Sequence, residues 1–266
     1  MIYFLSDAHL GSKAIERGWA HQKHVIAMLE EMSKDAVSIY MLGDMFDFWM
    51  EYYRHDHSKR QFSPFIKEIR SLVKRGIHVH FFIGNHDLWT FGGIEQLTGA
   101  DVHYHPSSIE RYGKRLYLCH GDGVLPENWQ TLYPRPVVRK IKRFMRLRGI
   151  FHSRFLQSCF RALPPRVGNW FGYNWAKRSR LKELAHPCPY KGEDKEELVL
   201  FAKEHEQQGS HHDYYIFGHR HIELDLQIVG GSRVVILGDC FRQYTYAKLD
   251  HKGQLTLHNY EELDHA

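Results

Sequence analysis

The sequence predicts an α/β domain in which buried strands alternate with amphipathic helices, interrupted late by one basic helical segment. Three observations predict it. Short, continuously apolar runs recur through the chain and alternate with stretches of helical periodicity. Asp, Asn or His follows directly after five of those runs. From Asn128 to Lys182 there is no Asp or Glu but fourteen Lys or Arg, against 36 basic and 31 acidic residues in the whole chain.

Each element has its own justification. Ile2 to Ser6 reads as a buried strand. His21 to Ser33 places Val25, Met28, Leu29 and Met32 on one helical face. Ser38 to Leu42 is a second buried strand. Phe62 to Arg75 is a helix ended by Gly76, and His78 to Ile83 a third strand broken by Gly84. This alternation implies largely parallel pairing. Lys114 to Cys119 is a further strand. In the basic segment, Val138, Ile141, Phe144, Met145, Leu147 and Ile150 recur at helical spacing, and Val167 to Leu184 forms another helix after Pro164-Pro165. Pro187-Cys188-Pro189 marks the return to core. Asp194 to Gln208 is amphipathic, and Tyr214 to Phe217 is a strand. Gly230-Gly231 and His251-Lys252-Gly253 each separate two strands of a hairpin: 224–229 from 234–237, and 246–249 from 255–259.

The 266 residues, 43% hydrophobic, suffice for one large domain with an insertion. No apolar run approaches the roughly 20 residues that span a bilayer. The first strand starts at Ile2 and a candidate ligand stands at Asp7, so no cleavable leader is expected. Cys119, Cys159, Cys188 and Cys240 lack zinc spacing and read as reduced thiols of a cytosolic protein. Among 21 histidines, most of His55, His57, His103, His105, His211 and His212 are expected on the surface.

The chemistry lies in five segments: Asp7-Ala8-His9, Gly43-Asp44-Met45-Phe46-Asp47, Gly84-Asn85-His86-Asp87, His120-Gly121-Asp122 and Gly218-His219-Arg220-His221. Any one alone is a turn or a satisfied polar residue. Together, at strand ends, they point to metal ions. Asp7 and His9 are two apart and project to one side, as do His219 and His221. Mixed carboxylate and imidazole suits Mn, Fe or Zn, and the lack of thiols argues against structural zinc. A carboxylate such as Asp44 can bridge two cations about 3.5–4 Å apart, the spacing used for displacement at phosphorus.

These motifs resemble the calcineurin-like metallophosphoesterase superfamily over residues 5 to 221. The resemblance implies an α/β fold of two stacked β-sheets flanked by helices, with 1–123 and 190–266 as core and 124–189 as a helical lid. It implies two divalent cations, Mn²⁺ by expectation with Fe²⁺ or Zn²⁺ admitted. One would take Asp7, His9, Asp44 and His221, the other Asp44, Asn85, His120 and His219. His86 would be the catalytic histidine, able to donate a proton when charged, with Asp87 orienting its ring. Asp47 and Asp122 would hold ligands in place.

Ser6 to Leu10, Gly43 to Trp49, the His120 block and the following insertion resemble the UDP-2,3-diacylglucosamine hydrolase family of lipid A synthesis. That likeness implies a nucleotide-linked glycolipid substrate and a peripheral location on the cytoplasmic face of the inner membrane. The lid's basic and apolar side chains suit an anionic leaflet or an acyl pocket. Asn85, Asn169, Trp175, Lys177, Arg178 and Arg180 are the candidate substrate contacts. His86 stands where described members of that family carry Arg. The alternative is therefore another metallophosphoesterase: a nuclease, a cyclic-nucleotide phosphodiesterase or a phosphatase. Trp170, Phe171, Tyr173 and Trp175 would stack bases in a nuclease, but the apolar content of 137–160 fits lipid better than nucleic acid. A non-catalytic binding module is disfavoured because every ligand position is filled.

Overall fold

The computed structural model describes residues 1–15, 18–186 and 189–260. Pro187 and Cys188, read above as punctuation and as a thiol, lie outside the described residues. One sheet orders β11-β10-β1-β2-β3-β4 and the other β5-β6-β7-β9-β8. In the first, β1 (Ile2–Leu5), β2 (Ser38–Leu42), β3 (His78–Phe82) and β4 (Asp101–His103) run parallel, while β10 (Thr245–Leu249) and β11 (Leu255–Asn259) pair antiparallel. In the second, β6 (Lys114–Cys119), β7 (Tyr214–Phe217) and β9 (Arg233–Leu237) are parallel, with β5 (Ser107–Arg111) and β8 (Glu223–Gln227) antiparallel at its edges. The expected parallel pairing thus holds for the strands that carry motifs, and both expected hairpins form.

Strand alternation explains why these runs are apolar throughout: both faces are covered. Ile2, Phe4, Tyr40 and Leu42 meet Leu116, Leu118, Ile216, Val235 and Leu237 between the sheets. Tyr3, Leu5, Ile39, Met41 and Phe81 face outward onto α1 (Gly18–Met32) and α2 (Ser63–Lys74) through Val25, Met28, Leu29, Phe65, Ile69 and Leu72. Tyr215, Phe217, Val234 and Ile236 face α8 (Glu197–Gln207) through Leu198, Val199 and Ala202. The layers therefore run helix, sheet, sheet, helix. Helix α3 (Gly93–Thr98) leads into β4.

Helices α4 (Trp129–Leu132), α5 (Arg135–Phe151), α6 (Arg154–Arg161) and α7 (Pro165–Ala185) lie between β6 and α8. Helix α5 has no buried side chain. Thirteen of the twenty-one large hydrophobic side chains exposed among the described residues belong to 132–184. Helix α7 also buries Gly168, Tyr173, Ala176 and Arg180, because one of its faces rides on segment 48–52. A Cβ on Gly172 would lie 2.2 Å from the Phe48 ring, so only glycine permits that approach.

One histidine departs from the surface majority, and one expectation needs correction. His212 is buried, with its ring nitrogens on the Ser210 carbonyl and the Ser108 hydroxyl, because it packs in an aromatic cluster with Tyr117 and Tyr215. Asn169 reaches no strand end. Its amide accepts from Tyr52 Oη and donates to Ser58 Oγ, 3.0 and 2.9 Å away, so it fastens α7 to the 52–58 segment.

Phe4 is fully buried and stacks on Tyr40 with centroids 5.2 Å apart. Phe4→Ala should cost about 3–5 kcal/mol. Urea unfolding of the metal-free protein measures this, with an unchanged slope expected if the denatured state is unaltered.

Candidate metal centre

The parallel strands β1, β2 and β3 of one sheet and β6 and β7 of the other end where the five motifs begin. Crevices beyond the carboxyl ends of strands are the usual ligand positions in open α/β sheets. The turns there interlock. Asp7 N–H donates to the Gly43 carbonyl, His9 N–H to Asp44, Gly218 N–H to His120 and Cys240 N–H to Asp7. Asp44 Oδ1 accepts from His86 N–H and Asp7 Oδ2 from His219 N–H, both at 2.8 Å. A Cβ on Gly84 would lie 2.2 Å from Asp44 Oδ1, so that glycine gives the carboxylate its room.

The backbone takes an unusual form at these ligands. Asp7, His9, Asp44, His219 and His221 all have positive φ, between 46° and 68°. Among non-glycine residues this left-handed region is sparsely used and tends to mark functional positions.

The side chains converge in three groups whose candidate ligand atoms lie within 4.8 Å: Asp7, His9 and His221; His9, Asp44 and His86; and Asp44, His120 and His219. Asp44 Oδ2 stands 4.0 Å from His9 Nε2 and 3.3 Å from His120 Nε2, so one carboxylate reaches both sides. His221 Nε2 is 3.0 Å from Asp7 Oδ1. His120 places Nδ1 2.8 Å from the Leu42 carbonyl, which requires an N–H there and turns Nε2 toward Asp44. The buried Nε2 of His120 and Oδ1 of Asn85 have no hydrogen-bond partner in the protein. Buried polar atoms rarely stay unpartnered, and this donor set of carboxylate, amide and imidazole fits divalent cations.

The charges fit as well. Burial opposes ionisation of Asp7 and Asp44, but the surrounding imidazoles overcome it, and both carboxyls fall below the usual range. Burial also opposes a charged His120, yet Asp44 raises it well above an ordinary imidazole. His219 is pushed down to about 4 by burial and by the neighbouring His120. Asp87 is raised to about 7 by burial and by Asp44.

Asp87 requires a correction. Its carboxylate accepts from Gly84 N–H at 2.6 Å and Met45 N–H at 3.0 Å, so it clamps two motif turns together. The His86 ring is held by the Asp47 carbonyl, 2.6 Å from Nδ1. That bond uses an N–H on Nδ1 and leaves Nε2 free to face the centre, and burial, foremost, pushes the imidazole below its ordinary value. The Asp47 carboxylate is buried, 3.5 Å from His9 Nδ1. Asp122 is bound by Arg148 of α5 at 2.7 Å.

Of the candidate lid contacts, two reach the centre. The Trp175 ring lies 5.3 Å from that of His86. Arg180, 2% exposed, places Nη2 2.6 Å from His9 Nδ1 and Nη1 3.2 Å from His221 Nδ1. Lys177 is half-buried and Arg178 exposed, and among the described residues neither joins the bonds around the centre.

Sequence reasoning missed Glu183. Its carboxylate binds both Arg180 and His221 Nδ1, and its own pKa falls to about 2: burial opposes that shift, and His221 and then Arg180 drive it. One signal existed, since Glu183 is the first acid after the acid-free stretch. A carboxylate on the far nitrogen of a liganding histidine orients the ring toward its metal. Glu183→Gln should therefore weaken cation binding at the Asp7–His9–His221 side by about 10–100-fold. Metal titration followed by elemental analysis reads this, with circular dichroism to check the fold.

Comparison with known proteins agrees with this geometry. The family described as calcineurin-like phosphoesterase matches residues 1–223. A UDP-2,3-diacylglucosamine hydrolase of Porphyromonas gingivalis is 35% identical, covering 99% of this chain and 98% of its own length. Proteins of the same name from Haemophilus influenzae and Neisseria gonorrhoeae are 26% and 25% identical, covering 95% and 91% of this chain and 96% and 90% of theirs. With converging metal-ligand groups at the strand ends and the family match over most of its length, this chain belongs to the calcineurin-like phosphoesterases, which are metal-dependent hydrolases.

Proposed function

We propose that this chain hydrolyses the pyrophosphate bond of UDP-2,3-diacylglucosamine, releasing UMP and the acylated sugar phosphate in lipid A synthesis. The observation that carries the reading is the helical segment that lays Trp175 and Arg180 over the candidate centre while exposing apolar side chains elsewhere. The full-length likeness to proteins of that name supports it. Residues 1–123 and 190–266 act as the core, and 124–189 as its lid.

One cation is assigned to Asp7, His9, Asp44 and His221, the second to Asp44, Asn85, His120 and His219. Mn²⁺ is the expected ion, and the same donors admit Fe²⁺ or Zn²⁺. When bound, such a pair activates water and offsets phosphoryl charge. The chain's own residues do the rest. Water supplies hydroxide to one phosphorus, the P–O bond to the bridging oxygen breaks, and the departing phosphate takes the electron pair and a proton. Asn85 and His86 contact the phosphoryl oxygens. Arg180 swings from His9 toward the substrate's negative charge, and Trp175 shields the site from bulk water.

The lid also serves as the docking surface. Its exposed Phe144, Leu147, Phe155, Trp170 and Phe171 sit among basic residues, a composition that enters a lipid interface beside anionic headgroups. Among the described residues no helix is long and apolar enough to cross a membrane. The basic and apolar lid supports a peripheral position on the cytoplasmic face of the inner membrane.

Two measurements test this. Mn²⁺-loaded protein should release UMP from UDP-2,3-diacylglucosamine. Asp44→Ala should abolish both metal binding and turnover, and His86→Ala should keep the metal but slow turnover about 10²–10³-fold. Inactivity on that substrate with sustained turnover of an aryl phosphodiester would discard the lipid substrate. Second, reversing Arg139, Arg143 and Arg146 to Glu should reduce affinity for phosphatidylglycerol vesicles about 100-fold or more at low salt, since each basic residue contributes about 1 kcal/mol. Unchanged co-sedimentation would remove the docking role from α5.

A further inference from the structure

The proposed substrate has two dissimilar ends, and the candidate contacts so far reach only the middle and the apolar side. Asn169 fastens the lid, and Trp175 and Arg180 sit at the centre itself. A separate cavity of about 810 Å³ opens beside it, between the β3–β5 region of the core and helix α6 of the lid. That volume falls in the range of about 300–1,000 Å³ typical of small-molecule sites. A second, smaller space of about 70 Å³ shares His103, Tyr104, His105 and His152 with the large cavity, and its far wall is made by Gly84, His120 and Asp122. The large cavity is therefore linked to the metal centre through this smaller space.

The chemistry of the lining is selective. Among the described residues it contains no carboxylate. It carries Arg154, Arg161 and three histidines, His103, His105 and His152. An anion entering meets no opposing charge. Flat surfaces are available too. The His103 ring stacks on Phe82 with centroids 4.4 Å apart and 13° between planes, and the Phe91 ring lies 4.1 Å beneath the Arg161 guanidinium. These rings make the wall flat, while the Arg154 guanidinium and the imidazoles of His105 and His152 can serve ribose hydroxyls and phosphate oxygens. Gln157, nearly buried in the wall, commits its Nε2 to the Phe151 carbonyl at 2.9 Å. Its amide oxygen remains an acceptor for a base N–H such as the uracil imide.

We propose that this cavity is the nucleotide subsite: the uridine monophosphate end lies between β3–β5 and α6, while the acylated sugar leaves the metals on the Trp175 side of the lid. The assignment rests on the substrate reading given above. It also divides the lid by task, with α6 facing the polar end and α7 the reacting phosphates.

UMP itself is the probe, bound to the Mn²⁺-loaded protein and followed by calorimetry. The variant is His105→Ala with Arg154→Ala, two exposed positions whose loss spares the core. UMP affinity should fall at least about tenfold, and KM for UDP-2,3-diacylglucosamine should rise about tenfold more than KM for a small aryl phosphodiester. Gln157→Leu, which removes that acceptor, should weaken UMP binding further. Undiminished UMP affinity in the double variant overturns the subsite, as does the absence of UMP binding to the wild type at millimolar concentration. A KM penalty that follows acyl-chain length instead assigns the cavity to the lipid end and also overturns it. Loss of UMP binding in the variant, with a wild type inert toward the glycolipid, keeps the subsite and removes the substrate reading.

Discussion

The centre depends on one buried carboxylate. Asp44 is 2% exposed and sits where the strand ends of the two sheets meet. One oxygen fixes the His86 turn through its N–H, and the other lies between His9 on one side and His120 on the other. A charge removed from water needs compensation close by, and here histidines supply it from both sheets. The glycines before Asp44 and Asn85, the interlocked turns and the Asp87 clamp all serve to place that carboxylate. Disturbing Asp44 therefore disturbs both candidate cation positions together.

The lid works by a different rule. It has little interior of its own, and it is fixed by a few specific contacts: Arg148 on Asp122, Asn169 on Tyr52 and Ser58, Arg161 on the Glu51 carbonyl, and Arg180 with Glu183 on the ligand histidines. Apolar contacts join them where Gly172 and Tyr173 of α7 meet Phe48.

The sequence shows most of the centre because its logic is local. An apolar strand followed by a polar residue is legible in a few residues, so the five motif segments and most of the strands could be read directly, while the ligand set came from the family resemblance. What it hides depends on the fold. Asp87 looks like a ring partner for His86 because the two are adjacent, yet adjacent side chains diverge, and a carbonyl from another turn takes that place. Asn169 and Arg180 share a helix and look alike as polar lid residues, but only the packing of α7 on Phe48 decides which reaches the metal side. Glu183 is hidden for the same reason: its partner His221 is far along the chain. The edge strands β4 and β5 are short and polar, so period alone does not reveal them.

The left-handed ligands carry a consequence for evolution. A non-glycine residue in that region costs about 1–2 kcal/mol, and five of them together approach the net stability of a whole domain. The fold sustains this cost only because the sheets beneath are deeply buried. A stability-driven search over sequences would thus replace the ligands first, favouring glycine at Asp7, His9, Asp44, His219 and His221. Stability and the ligand geometry pull in opposite directions at these five positions.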